Sequence, residues 1–164
     1  MKKVLLTLAF GSLFAVSCSS VKKAESAQTS RAEFLKMKGD WEITSVNYDK
    51  GYQIKPFDEG ADAQCFVGSH WRLIPNNYSG AYTIKGGGNC PTVTQPIKFE
   101  VTRDNEFKFK KLVADTKAKN VTAGYILQIE KQDTDNFTLV QSVPFEGNVL
   151  KVYYNFVRTG MEQK

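Results

Sequence analysis

From about residue 39 onward, apolar and polar residues alternate with a period of two, as in a β-strand that has one buried face. The clearest run is 97–102, in which Ile97, Phe99 and Val101 alternate with polar residues. Similar runs occur at 39–47, 70–74, 78–84, 107–110, 121–130, 137–141 and 149–158. The pattern predicts an all-β domain of about eight strands.

Short segments rich in Gly, Asn, Asp and Pro separate many of these runs, at 75–77, 86–89, 133–136 and 146–148. The one helical candidate is a short turn over 30–37, before the first strand. Strands that follow one another through short turns, each with one apolar face, form either an antiparallel up-and-down barrel or a sandwich. The alternation by itself leaves both architectures open.

The N-terminus predicts export and lipidation. Residues 1–17 begin with Lys2 and Lys3 and continue as an apolar stretch that is too short to span a bilayer, which is typical of a signal peptide. Residues 13–18, Leu-Phe-Ala-Val-Ser-Cys, resemble a bacterial lipobox, whose Cys is lipidated and becomes the first mature residue. We expect Cys18 to carry lipid, residues 18–30 to be a tether, and the folded domain to span 31–160. An ordinary signal peptide, cleaved nearby, is the alternative.

The residues after Cys18 indicate a location. Ser19 resembles the default for outer-membrane lipoproteins, whereas Asp at this position favours retention in the inner membrane. Without an acidic cluster of the kind that directs some lipoproteins to the cell surface, we expect an outer-membrane anchor that faces the periplasm.

Composition and charge exclude several classes of function. The formal charge is +5, but the basic residues are scattered through alternating segments, so we expect no nucleic-acid partner. The chain has one histidine and no Cys/His cluster, so we expect no metal site and no cofactor. A charged fraction of 24% with 12% aromatic residues also argues against a largely disordered chain.

Candidate catalytic groups are few. His70 is the sole conventional general base near neutral pH, and alternation places it on the face opposite Trp71, toward solvent. Gly86–Gly88 lacks the residues that follow in a phosphate-binding loop, and it predicts a hairpin tip. Asp58, Glu59 and Asp62 match no calcium loop and are interpreted as a solvated loop face. We expect no catalytic residue and no enzyme activity.

Cys65 and Cys90 remain after Cys18 is assigned to lipid. An even pair of cysteines in an oxidising compartment predicts a disulfide. A redox or metal site made of free thiols is the alternative, but the chain has no Cys-x-x-Cys motif and no second histidine.

The sequence also resembles a known family. Gly39-Asp40-Trp41, placed after a helical turn at the start of the first strand, resembles the Gly-x-Trp motif of lipocalins, and Arg158 lies in the last strand. The overall pattern is most similar to the small lipocalin-like lipoproteins of Bacteroidetes. The resemblance implies an eight-stranded up-and-down barrel in which Trp41 closes the floor and Arg158 stacks over it. The chain lacks the Thr-Asp-Tyr motif of animal lipocalins, so a retinoid or pheromone is not implied.

The expected function depends on the barrel interior. The residues that alternation places there, and that would contact a ligand, are Ile43, Trp71, Leu73, Phe99, Phe107, Phe109, Tyr125, Leu127, Phe137, Leu139, Tyr154 and Phe156. Tyr125, Tyr154 and Ser45 are the polar groups expected to orient it. One hypothesis is a cavity that holds a small hydrophobic or amphipathic molecule for sequestration or transport. The other is a filled barrel whose outer face or long loop (49–66) docks an envelope protein.

Overall fold

The structure, a computed structural model, describes residues 31–49, 51–114 and 117–160. These residues form eight antiparallel strands that close into a barrel in chain order, with the last strand paired to the first. The strands are β1 (Gly39–Asn47), β2 (His70–Ile74), β3 (Ser79–Ile84), β4 (Val93–Val101), β5 (Glu106–Lys111), β6 (Tyr125–Gln132), β7 (Asn136–Phe145) and β8 (Asn148–Gly160). The predicted up-and-down barrel is confirmed and the sandwich is excluded. The predicted signal peptide (1–17), Cys18 and the tether (18–30) lie outside the described residues.

A helical turn closes one end of the barrel, which we call the floor. Residues 31–36 are helical, and Phe34 and Met37 are buried against the strands. The ring of Phe34 packs edge-on against Phe99 of β4, with 5.5 Å between ring centroids. Among the described residues, no helix is long and apolar enough to cross a membrane.

The core fills the barrel with aromatic side chains from alternate strand positions. On β7 and β8, the rings of Phe137 and Phe156 stack at 4.2 Å, and Trp41 of β1 meets Phe137 edge-on at 4.6 Å. Higher in the barrel, the rings of Trp71 and Tyr82 stack at 4.7 Å. Such pairs add to the stabilisation from area burial, because ring edges and faces attract one another.

A β-bulge in β1 changes which residues face inward. The register with β8 shifts between Ile43 and Ser45, so Val46 is buried and Ser45 lies on the outer side. There the Ser45 hydroxyl accepts a hydrogen bond of 3.0 Å from the Asn155 amide. The prediction that Ser45 orients a ligand inside the barrel is therefore wrong, because one extra residue reverses the alternation beyond it.

This register can be tested at two neighbouring positions. We expect Val46→Ala to lower the free energy of unfolding by about 2 kcal/mol, because it removes buried methyl groups. Ser45→Ala removes one peripheral hydrogen bond and should cost less than about 1 kcal/mol. Urea denaturation of both variants checks this, and equal costs, or the reverse order, would contradict the bulge.

Candidate functional site

The predicted floor is present. The Arg158 guanidinium carbon lies 4.1 Å from the ring centroid of Trp41, in cation–π geometry. Its three nitrogens donate to backbone carbonyls: Nε to Thr134 at 2.7 Å, and the two Nη atoms to Lys38 at 2.6 Å and Lys36 at 2.8 Å. Arg158 therefore joins the last strand to the segment that closes the barrel. These residues serve the fold of the closed eight-stranded barrel.

The predicted ligand-contacting residues all come together inside the barrel. Those that are buried are Ile43, Trp71, Leu73, Phe99, Phe107, Phe109, Leu127, Phe137, Leu139, Tyr154 and Phe156. Tyr125 is half-buried near the opposite end from the floor, which we call the mouth. Tyr154 donates a hydrogen bond of 2.9 Å to the Gln141 side chain, and burial raises the pKa of its phenol. That these residues contact a ligand stays a prediction.

A loop between β1 and β2 enters the mouth. We call residues 51–66 the plug loop; it contains two 3-10 turns, Pro56–Asp58 and Ala63–Phe66. The ring of Phe57 lies 5.1 Å from that of Phe109, 5.4 Å from that of Tyr125 and 5.5 Å from that of Tyr154. Phe57 and Phe66 of this loop therefore complete the aromatic core, although neither belongs to a strand.

Sequence reasoning missed these two rings, because the plug loop has no alternation that marks an inward face. It also left out Tyr82 and Ile84, both fully buried. The alternation along β3 could have placed these two residues inside the barrel, because they are two positions apart on one strand.

The plug loop also places a carboxylate at the mouth. Glu59 Oε1 lies 2.6 Å from Lys111 Nζ, and the Glu59 side chain is only 7% exposed. The Tyr82 hydroxyl donates a hydrogen bond to the same oxygen. Burial and the neighbouring Glu59 raise the pKa of Tyr82, so its phenol stays protonated as a donor.

The interpretation of the acidic residues as a solvated face is therefore wrong for Glu59. It is also incomplete for Asp62, whose Oδ1 accepts hydrogen bonds from the Gln64 backbone N–H at 2.8 Å and from Tyr48 Oη at 3.1 Å. Burial, and then this hydrogen bond to Asp62, raises the pKa of Tyr48.

The sequence contained one signal for the ion pair between Glu59 and Lys111. Lys111 follows Phe107 and Phe109 at an inward-facing position of β5, where a cation needs a partner.

The predicted disulfide is confirmed. Cys65 and Cys90 are bonded, which attaches the second turn of the plug loop to the connection between β3 and β4. That connection is a hairpin tip, as predicted from Gly86–Gly88, with a β-bridge between Gly87 and Cys90. The plug loop is thus covalently fixed at its C-terminal end, while its N-terminal part is held by non-covalent contacts.

His70 occupies the outward position predicted for it. Its Nε2 lies 3.7 Å from Asp40 Oδ1 on the neighbouring strand. Within the described ranges, no group of three or more His, Cys, Asp or Glu side chains is placed to hold a metal ion.

A groove of about 550 Å³ lies against the outer faces of β4, β5 and β6. Its lysines already have partners. Lys108 Nζ lies 2.8 Å from a Glu106 carboxylate oxygen, and Lys98 and Lys110 each donate to a backbone carbonyl at 2.9 Å. The mouth, where a buried charge meets an aromatic cluster, is the better candidate site.

No protein-family model and no curated protein matches this chain. Among solved structures, the deswapped triple mutant of bovine odorant binding protein matches it with 12% sequence identity and a TM-score of 0.40. The match covers 75% of this chain and 74% of that chain. This likeness assigns no ligand to the chain.

Proposed function

We propose that this protein binds a small apolar or amphipathic molecule at the mouth of the barrel, in the space that the Phe57 ring occupies when the plug loop is closed. The observation that carries the proposal is that the mouth is filled by a loop residue and not by strand residues. A loop can withdraw without breaking the hydrogen bonds of the barrel, and its place is lined by the aromatic rings of Phe109, Tyr125 and Tyr154.

The backbone of Phe57 supports a displaceable plug. Phe57 has a φ of 58° and a ψ of 27°, in the left-handed region, where a residue with a side chain is disfavoured by about 1–2 kcal/mol. This cost is recovered only while the ring is buried. Around Phe57, the closed loop is held by the contacts of this ring, by the ion pair and hydrogen bond of Glu59, and by the hydrogen bond from Lys111 Nζ to the Phe57 carbonyl. A ligand of similar shape and polarity can replace these contacts.

The proposal extends to the cell envelope. The lipobox-like sequence that ends at Cys18 supports a lipid anchor, and Ser19 supports the outer membrane, with the barrel facing the periplasm. An anchored carrier of this kind would sequester or transfer its ligand close to the membrane. The resemblance to small lipocalin-like lipoproteins of Bacteroidetes supports the same role.

Binding can be tested with the neutral fluorescent probe N-phenyl-1-naphthylamine and the full chain carrying Cys18→Ser, which prevents lipidation. We expect saturable probe binding, and we expect Phe57→Ala to raise the affinity by about tenfold, because the probe no longer competes with the burial of a ring. The measurement is a fluorescence titration at constant protein concentration.

Tyr52→Ala is the matched control. Tyr52 belongs to the same loop, but the residue is 38% exposed and its ring packs against Phe145, away from the rings that surround Phe57. The control should leave the probe affinity unchanged. If neither the Cys18→Ser protein nor Phe57→Ala binds the probe, the barrel is a filled module and the proposed function is wrong.

A further inference from the structure

We infer that Phe57 and Glu59 act as an internal substitute for the ligand, and that the ligand is a small apolar carboxylate whose carboxylate replaces that of Glu59 on Lys111 and Tyr82. The inference rests on the proposed function and adds to it the chemical class of the ligand and the residues that select it.

The two sides of the ion pair at the mouth belong to different parts of the molecule. The donors, Lys111 Nζ and the Tyr82 hydroxyl, belong to β5 and β3 of the barrel, whereas the carboxylate belongs to the plug loop. Lys111 Nζ also donates to the Phe57 carbonyl at 3.0 Å, so it holds the loop at two points. When the loop withdraws, both donors lose their acceptor at the edge of an apolar space.

Two hydrogen-bond donors at the edge of an apolar space, one of which is a cation, are best satisfied by an anion. A half-buried ammonium without a partner is unfavourable, and a neutral ligand would leave it so. A cationic ligand would be repelled by Lys111. A ligand carboxylate has the charge and the planar acceptor geometry of the Glu59 group that it would replace, and it would restore both hydrogen bonds.

An aromatic wall lies directly beside the ammonium group of Lys111. Phe109 and Lys111 occupy consecutive inward positions of β5, so the aromatic wall and the ammonium are neighbours on one strand. The plug loop matches this pair with Phe57 and Glu59, which are likewise two residues apart and contact Phe109 and Lys111 respectively. The plug loop thus places a ring against the aromatic wall and a carboxylate against the ammonium group. A ligand that is an apolar carboxylate would make the same two contacts.

The test compares decanoate with decanol as competitors of N-phenyl-1-naphthylamine, because the two share an alkyl chain and differ in charge. On the Cys18→Ser protein at neutral pH, decanoate should compete about tenfold more strongly than decanol, the effect of one charge-assisted hydrogen bond. Glu59→Gln should raise the affinity for decanoate by about tenfold, because the internal carboxylate no longer competes for Lys111.

A double variant removes the cation without leaving an unpaired buried charge. Glu59→Gln with Lys111→Met should still bind the probe and decanol but should lose the preference for decanoate. Glu59→Gln with Lys110→Met is the matched control, because Lys110 precedes Lys111 on β5 and lies at the outer groove. This control should keep the preference.

The outcomes separate the two proposals. If the probe binds but decanoate and decanol compete equally in the Cys18→Ser protein and in Glu59→Gln, the carboxylate inference is overturned and the proposed function stands. A preference for decanoate that survives Lys111→Met overturns the role of Lys111. Absence of probe binding in every variant overturns both proposals.

Discussion

Arg158→Ala is expected to lower the free energy of unfolding by about 3 kcal/mol, because it removes the hydrogen bonds that the guanidinium donates to three backbone carbonyls and removes the cation over Trp41. The guanidinium meets Thr134, Lys38 and Lys36 with three separate nitrogens, and its side chain is only 9% exposed. Chemical denaturation of the Cys18→Ser protein and of the variant measures the difference.

Two further variants test whether the loss of stability comes from the contacts of the Arg158 guanidinium. Arg158→Lys should recover only part of the loss, because a point-like ammonium cannot reach three carbonyls at once. Arg103→Ala replaces an exposed arginine near the turn between β4 and β5, and it should change stability by no more than about 0.5 kcal/mol. A loss for Arg158→Ala as small as that of Arg103→Ala would show that the floor does not depend on this residue.

Removal of the disulfide is expected to cost about 3.5 kcal/mol, since Cys65 and Cys90 are 25 residues apart and their bond restricts the unfolded chain. We expect this loss for Cys65→Ser with Cys90→Ser, measured by chemical denaturation. The same variant should bind N-phenyl-1-naphthylamine more tightly, because the plug loop would then be held only by non-covalent contacts and would withdraw at lower cost.

Reduction of the disulfide supplies the control for this prediction. Dithiothreitol should lower the stability of the Cys18→Ser protein to that of the double serine variant, and it should leave the double serine variant unchanged. A loss of stability without any change in probe affinity would mean that the ring contacts of Phe57 alone keep it in the mouth. The disulfide would then not control access of the ligand to the mouth.

The two proposals lead to one picture of the mouth. A barrel with aromatic walls carries a loop that supplies both a ring and a carboxylate, and the loop is tethered at Cys65. A ligand that carries both groups gains the contacts that the loop gives up. On these proposals, the closed loop would protect the apolar walls from water while no ligand is bound.

Alternation along the chain determined which side of most strands faces the interior, although it left barrel and sandwich both open. Because successive side chains of a strand point to opposite faces, the spacing alone placed Phe107, Phe109 and Tyr154 inside and His70 outside, as the structure has them. The floor was implied by the resemblance of Gly39-x-Trp41 and Arg158 to the corresponding residues of lipocalins. In the structure Trp41 and Arg158 are partners where the first strand pairs with the last.

The site at the mouth was decided by tertiary structure. Alternation fixes the side of a strand but carries no information about a loop, so the insertion of Phe57 could not be read from residues 51–66. The bulge at Ser45 was hidden for a related reason, because an extra residue appears only when one strand is paired with another. Glu59 and Lys111 are 52 positions apart, and only the closed barrel with its plug loop brings their charges together.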